Sequence, residues 1–567
     1  MWCVNSQPAG AQNTQPENKP ADSIRGIVVN SVTREPIGRA LVYSPDNRFA
    51  TMTDSEGRFE FSFPQVGSDQ NKDDESAKVS SFGQTFPGLM ARKPGFINDQ
   101  ITQSLHSGKS GKEVTLPLTP EALMVGRVVL PTSEASDTIQ LDLYRRQVRE
   151  GRARWILVGS ASTKSNGEYR FAELSAGSYK LLTRELMDRD PLIFDPRGQQ
   201  YGYPPVYFPN ATDFAAAHTI QLAAGQIFQA DISLVRHAYY PVKVPVANAP
   251  PGLGINIVVD VQGHRGPGFS LGYNNQDQMI EGLLPNGNYA LEASGFGPNA
   301  ASGLLNISIK GAVLEGLRMT LSPDGSIGVN VKEEFTSTEG TNSPNVIMET
   351  GPPPLAAGGP RRYLNLHLEP ADDFVQNRGA WLRPPSGPED DSLAIDGVPP
   401  GRYWVKADSS RGFVASITSG TTDLQHQPLV VGLGGSSSPI EITMRDAAAE
   451  IDGTIEGVAS LFNGTEGARP SATGASVSTD TSARVYCVPL PDSSGEFRDV
   501  WVTPDGKFGP QNLAPGTYRL LAFDRPQPEL EYHNPEAMRA YEAKGQLVRL
   551  VAGQEEHLHL QLISSAE

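Results

Sequence analysis

The chain has 567 residues, too many for one hydrophobic core, and domains of about 100 to 150 residues predict four or five of them. Its 57 Gly and 46 Pro beside 38% hydrophobic residues suit many short strands joined by tight turns, so the composition predicts an all-β protein. Lys and Arg number 47 against 64 Asp and Glu, a net charge of -17 that repels nucleic acid, and no apolar run approaches the roughly 20 residues of a transmembrane helix.

The opening residues, Met1 to Pro20, are polar and rich in Gln, Asn and Pro. Residues 1–22 therefore read as a disordered tail or the remnant of a signal peptide. Ala9-Gly10-Ala11 before Gln12 has the small-x-small form of a signal-peptidase site, which predicts a start codon placed too late and a secreted, periplasmic or cell-surface protein. Cys3 and Cys487 are the only cysteines, so no disulfide framework or cysteine-based zinc site is expected, and Cys487 reads as a buried strand residue.

Residues 23–120 form the first predicted sandwich, with a turn-and-strand motif at Thr53-Asp54-Ser55-Glu56-Gly57-Arg58-Phe59. The motif returns as Ser165-Asn166-Gly167-Glu168-Tyr169 and as Pro504-Asp505-Gly506-Lys507-Phe508. A second motif, apolar-x-x-Gly-x-Tyr, ends in Tyr179, Tyr289, Tyr403 and Tyr518, which lie 110, 114 and 115 residues apart. A fixed motif at a fixed period signals repeated domains, and alternation after each tyrosine, as in Tyr179-Lys180-Leu181, predicts a half-buried strand. Gly177, Gly287, Gly401 and Gly516 are expected to share a backbone conformation that disfavours a Cβ.

The remaining units are predicted at 121–236, with an aromatic Pro-rich loop, at 237–321, at 322–446, with mobile insertions at Pro353–Pro360 and Gly432–Ser438, and at 447–567. In the last, Asn534 as cap, Pro535 and Gly545 predict one short helix. Connections of about ten residues or fewer predict an elongated succession of sandwiches.

The first unit, with Arg25-Gly26-Ile27-Val28-Val29, Pro36-Ile37-Gly38-Arg39-Ala40, the Thr53–Phe59 motif and Ala91-Arg92-Lys93-Pro94-Gly95-Phe96, resembles a carboxypeptidase regulatory-like domain. The second and fifth units keep two of those motifs, and the third and fourth keep mainly the Gly-x-Tyr turn. The resemblance implies a tandem array of about five antiparallel Greek-key β-sandwiches of transthyretin-like form. It brings no catalytic residues and is shared with secreted or cell-envelope proteins of bacteria.

Three patterns are weighed as chemistry and set aside. His533 and Glu536 have a zinc-ligand spacing but no room for a catalytic domain after them, and His557-Leu558-His559 lies on a strand flanked by Glu555 and Glu556. Gly268-Phe269-Ser270-Leu271-Gly272 matches a hydrolase nucleophile pattern, but turn-like residues follow it where a helix is required. No catalytic residue, cofactor or metal is therefore expected.

Sugars stack on exposed aromatic rings, which makes Tyr201, Tyr203, Tyr207 and Phe208, together with Trp155, Trp381 and Trp501, the candidate glycan contacts. The expected function is a non-catalytic extracytoplasmic scaffold or interaction protein, with cell-envelope polysaccharide or other surface proteins as partners. The alternative is a carbohydrate-binding protein that uses the aromatic loops of one or two domains.

Overall fold

The computed structural model describes residues 22–44, 50–63, 89–97, 113–131, 138–188, 198–249, 254–261, 266–295, 300–336, 359–372, 374, 379–387, 390–435, 437–458, 483–491, 493–503 and 505–564. The tail, Cys3 and most of the Pro353–Pro360 insertion lie outside them. The fold is all-β and multidomain, and the chain divides into two compact units. One comprises residues 1–123 with Ala172–Ser175 and Ala223–Gln226, and the other comprises the remainder.

One strand arrangement recurs five times. Strand Asp22–Asn30 pairs antiparallel with Arg58–Phe63 and parallel with Glu113–Leu118. His237–Ala247 does the same with Met279–Pro285 and Met319–Thr320, Gly325–Glu334 with Leu393–Val398 and Ile440–Arg445, and Ala449–Glu456 with Lys507–Leu513 and Glu555–Ile563. Ala122–Val129 lies beside Glu168–Leu174 and pairs parallel with Ile232–Ser233. The sandwiches are antiparallel apart from one pairing in each, where the last strand runs parallel to the first. A last strand that crosses over from the other sheet can arrive in that direction, whereas a hairpin cannot.

The turn glycines seat the opening strands. Gly57, Gly167 and Gly506 have φ of 74°, 81° and 78°, and their carbonyls accept from the amides of Val28, Val128 and Ile455 at 2.8 to 2.9 Å. A Cβ there would stand 2.8, 2.4 and 3.0 Å from the carbonyl oxygens of those same residues, so both angle and space call for glycine.

The Gly-x-Tyr strands lie inside the second sheets. Gly287–Gly295 runs between Ile255–Val261 and Ala301–Ile309, Gly401–Ser409 between Leu364–Pro370 and Leu429–Val431, and Gly516–Phe523 between Arg484–Pro489 and Gln546–Leu550. The four tyrosines are buried. Tyr289, Tyr403 and Tyr518 donate their hydroxyls to the carbonyls of Pro285, Pro399 and Ala514, four residues back, at 3.0, 2.9 and 2.7 Å. Such a tyrosine corner satisfies the buried hydroxyl and pins the turn it has just left. The shared glycine conformation holds only in part: Gly177 and Gly516 have φ of 153° and 149°, and Gly287 and Gly401 do not. At Gly287 the constraint is space, because a Cβ would lie 2.8 Å from the Tyr289 hydroxyl.

Cores follow the sheets. Ile24 to Leu118, Val242 to Leu321, Ile327 to Met444 and Ala449 to Leu560 supply separate clusters of buried residues, each from its own pair of sheets. Cys487 is buried, and loss of hydration pushes its thiol up to about 12. The late helix is one turn, Pro535–Met538, with Asn534 accepting from the amides of Glu536 and Ala537, and a 3₁₀ turn at Arg539–Tyr541 completes it. Three residues, Asp446, Ala447 and Ala448, connect the fourth and fifth sandwiches between Arg445 and Ala449.

Two substitutions separate the ring from its hydroxyl. Tyr518→Ala is expected to cost about 3 to 5 kcal/mol and Tyr518→Phe about 1 kcal/mol. Amide-exchange protection of Gly516–Phe523 is the readout, and equal losses in both variants would contradict the corner.

Candidate functional site

The second sandwich carries a long hairpin, Gln140–Arg149 and Arg152–Ser162, with Glu150 and Gly151 at its tip in left-handed conformation, φ 46° and 70°. Five arginines, at 145, 146, 149, 152 and 154, crowd this hairpin in a chain that is acidic as a whole. Its tip reaches the fourth and fifth sandwiches, all within the larger unit.

On the fifth sandwich, the Arg146 guanidinium bonds both carboxylate oxygens of Glu531, and the His533 amide donates to the Gly151 carbonyl at 3.2 Å. Gly151 rests against the Tyr532 ring, 2.6 Å from where a Cβ would sit, and that ring stacks on Phe497 at 4.0 Å. On the fourth sandwich, Arg152 lies 3.6 Å over the Trp404 ring and Glu150 pairs with Lys406 at 3.0 Å. Arg154, only 4% exposed, donates to the carbonyls of Pro370 at 2.5 Å and Asp372 at 3.1 Å and approaches Glu369 at 3.4 Å. An apolar contact runs alongside, where Phe374 packs against Tyr144 and Phe214 at 5.3 Å each and bridges to Trp155.

A single-file succession of sandwiches is therefore not what the larger unit contains: the second sandwich contacts the fourth and the fifth. Short connections restrict neighbours in sequence, but the hairpin projects far enough to bypass them. The fourth and fifth also meet directly, through Arg498 and Asp408 at 3.8 Å and through Gln425 Nε2 donating to the Ser494 carbonyl at 2.9 Å.

Titration at the junction is shifted in both directions. Burial, then a hydrogen bond and repulsion from Asp408, raise Glu496 to about 9, with solvent at a third of the side chain tempering the shift. Burial, then the cations Arg152 and Lys406, lower His533 to about 3.

Beside the hairpin lies a cleft of about 1030 Å³ bordered by the second, third and fourth sandwiches. Its wall includes Ile156 and Leu157 of the hairpin, Asn256 to Val259 of the third sandwich, and Phe269 and Phe374. Asp142, nearly fully buried, binds Arg184 at 2.7 Å and the Ser160 hydroxyl at 2.6 Å. Burial lifts Glu185 to about 7, although the hydroxyl of Tyr239 and the Ser270 amide pull against it.

The aromatic candidates do not form one site. Tyr203 and Tyr207 are 4% and 2% exposed and belong to the interior, with the Tyr207 hydroxyl donating to the Pro267 carbonyl, so neither presents a stacking face. Tyr201 is half-buried beneath the Arg236 guanidinium at 4.0 Å, Phe208 packs edge-on against Phe228, and Trp155 packs against Phe214. In this Pro-rich loop Tyr207 reaches the third sandwich at Pro267, while Phe208 packs within the second against His218 and Phe228. Trp381 and Trp501 are the exposed ones, at 60% and 58%, the former stacked with His367 and the latter under Arg484 at 3.0 Å.

The histidine pair is occupied, with His557 bound to Asp452 and His559 to Thr454 at 2.8 Å each. Ser270 is followed by a strand, Gly272–Asn274, where a nucleophile elbow requires a helix. The arginine-rich hairpin is the feature that sequence reading passed over; its signal is basic density within an acidic chain.

No protein-family model matches the chain, and no curated protein matches it. Among solved structures it is similar to the Bacillus anthracis TIE protein, at 9% identity over 78% of this chain and 74% of that one, with a TM-score of 0.14. It is similar also to a streptococcal ancillary pilin, at 11% over 57% and 99% with a TM-score of 0.18, and to GBS52, the minor pilin of Streptococcus agalactiae, at 10% over 36% and 97% with a TM-score of 0.17. Likenesses this remote carry no argument about what the chain does.

Gly151→Ala is expected to undo the junction, because the added methyl meets a ring already held by Phe497 and the backbone angle disfavours it, together costing about 1 to 3 kcal/mol. Exchange protection at Tyr532 and His533 should fall while that of Gly401–Ser409 persists; unchanged protection at Tyr532 and His533 would contradict the docking.

The pH profile has a defined sign. Glu496 keeps its proton in the folded chain between 4.5 and about 9 while the unfolded chain has lost it, so stability declines as pH rises through that window. His533 stays neutral down to about 3 where the unfolded chain charges below 6.5, so stability also declines as pH falls through that range. The thermal midpoint should therefore drop on both flanks of a plateau, and Glu496→Gln should remove the alkaline flank alone. An unaltered alkaline flank in that variant would assign the decline elsewhere.

Proposed function

We propose that the chain is a non-catalytic multidomain scaffold or interaction protein, built from carboxypeptidase regulatory-like repeats and working outside the cytoplasm as a secreted or cell-envelope protein. The observation that carries this reading is the spending of the hairpin's charge on the chain itself. Arg154 is desolvated against two carbonyls and a carboxylate, Arg146 is doubly bonded to Glu531, and Arg152 lies on Trp404. Groups satisfied in this way hold sandwiches at fixed separations, which is what a scaffold requires of its parts. The four motifs of the first unit, in the order of the regulatory-like family, support the repeat assignment and the location.

Scanning calorimetry of the full chain and of Arg154→Ala tests the reading. The second, fourth and fifth sandwiches should unfold together in the parent and separately in the variant, since removing one partner of a buried, bonded charge costs about 3 to 5 kcal/mol. Identical profiles would remove the support for a rigid scaffold.

A carbohydrate-binding role has one favouring observation, the exposure of Trp381 and Trp501 on strand edges. Affinity electrophoresis against a panel of cell-envelope polysaccharides should then show retardation that Trp381→Ala or Trp501→Ala abolishes. Equal mobility in every polysaccharide would leave the scaffold alone.

A further inference from the structure

The last strand of the fifth sandwich, Glu555–Ile563, runs parallel to Ala449–Glu456, and their register sets Glu555 beside Glu450, His557 beside Asp452 and His559 beside Thr454. Successive side chains of a strand point to opposite faces, so Leu558 and Leu560 enter the core while both histidines stand exposed on the outer face. The strand pattern alone left this pair on a solvated face. The register adds a carboxylate and a hydroxyl opposite it.

Each imidazole is held through one nitrogen. Nδ1 of His557 lies 2.8 Å from the Asp452 carboxylate, and Nδ1 of His559 lies 2.8 Å from the Thr454 hydroxyl. A carboxylate only accepts, so in the neutral ring of His557 the proton sits on Nδ1 and Nε2 keeps its lone pair. The threonine hydroxyl can accept or donate, and an ion at Nε2 of His559 selects the accepting role. Metal-binding histidines are oriented in this way, by a hydrogen bond at the other nitrogen.

The spacing of the rings also fits one ion. Their centres are 5.3 Å apart, with the planes at 82°. A metal–nitrogen bond of about 2.0 to 2.1 Å puts each ring centre about 3.2 Å from the ion, so two rings on one ion stand about 4.5 Å apart at a right angle and about 5.2 Å apart at the tetrahedral angle. Two residues along the same face, Glu450 and Glu555 are both exposed and set like charges opposite one another. Such pairs repel, and a cation bound beside them offsets the repulsion.

We propose that Nε2 of His557 and Nε2 of His559 bind one late first-row divalent metal ion, Zn(II) or Cu(II), on the outer face of the fifth sandwich. Imidazole suits both ions, and Cu(II) binds a given set of nitrogen ligands the more tightly. Among the described residues no three His, Cys, Asp or Glu side chains gather as a metal-holding group, so the protein supplies two ligands and water fills the other positions. The inference goes beyond the scaffold reading and does not rest on it, since both strands belong to one sandwich.

Isothermal titration of the full chain with Zn(II), and separately with Cu(II), tests this against the double variant His557→Gln/His559→Gln, whose remaining binding measures every other site. The parent should show one saturable site more than the double variant, weakened about tenfold or more in either single variant. His218→Gln, which replaces an exposed histidine of the second sandwich, should leave that site unchanged. Frozen-solution EPR of the Cu(II) form should show coupling to two nitrogens in the parent and to one in each single variant. On the unsubstituted chain, Zn(II) should shield His557 and His559 together from diethyl pyrocarbonate while His218 stays reactive, a readout that no folding defect in a variant can affect. Binding undiminished in the double variant, coupling to a single nitrogen in the parent, or modification of both rings at the same rate with and without Zn(II) overturns the proposal.

Discussion

Arg154 is a guanidinium almost wholly withdrawn from water, and the arrangement of the larger unit follows from where its donors go. A charge buried that deeply persists only when its hydrogen-bonding capacity is met. The oxygens that meet it, from Pro370, Asp372 and Glu369, all belong to the fourth sandwich. The hairpin of the second sandwich is thus committed to the fourth, and its tip residue Gly151, next to Arg152, is delivered to Tyr532 and His533 of the fifth. The cleft is the space left beside this hairpin between the second, third and fourth sandwiches.

Energetically the junction is specific before it is strong. A buried ion pair gains little over an apolar contact of the same shape, because desolvation offsets most of the attraction. The apolar portion, where Phe374 fits among Tyr144, Phe214 and Trp155, supplies the non-directional part, and the arginines determine which surface it is applied to. Burial pushes Glu496 up and His533 down, so both shifts favour the neutral forms at the junction.

Much of the fold was legible because it is written in local patterns. The repeat of Tyr179, Tyr289, Tyr403 and Tyr518 marked the strands that lie inside the second sheets, and alternation around them told inside from outside. The glycines were harder to read. Those of the Gly-x-Tyr turn were expected to share an angle and only two do, whereas Gly57, Gly167 and Gly506 share both angle and hydrogen bond. The tyrosine hydroxyl, by reaching back four residues, constrains its turn by space as much as by torsion. Parallel closure was invisible because strand direction depends on a crossover that no local pattern records. The aromatic residues misled for a related reason: Tyr203 and Tyr207 look like a sugar platform when the third sandwich that covers them is not in view. Contacts across more than 200 residues, such as Arg154 with Glu369, leave no periodic trace, although five arginines in ten positions of an acidic chain are a compositional one.

The account depends most on the second and fourth sandwiches being held together in solution. Spin labels on cysteines introduced at Ile227 and Val430, both exposed and one in each sandwich, measure this directly through their dipolar distance distribution. A single narrow distribution in the full chain that broadens on Arg154→Ala is the result the interlocked hairpin predicts. A broad distribution already present in the parent chain would mean that the sandwiches hinge freely, and would contradict it.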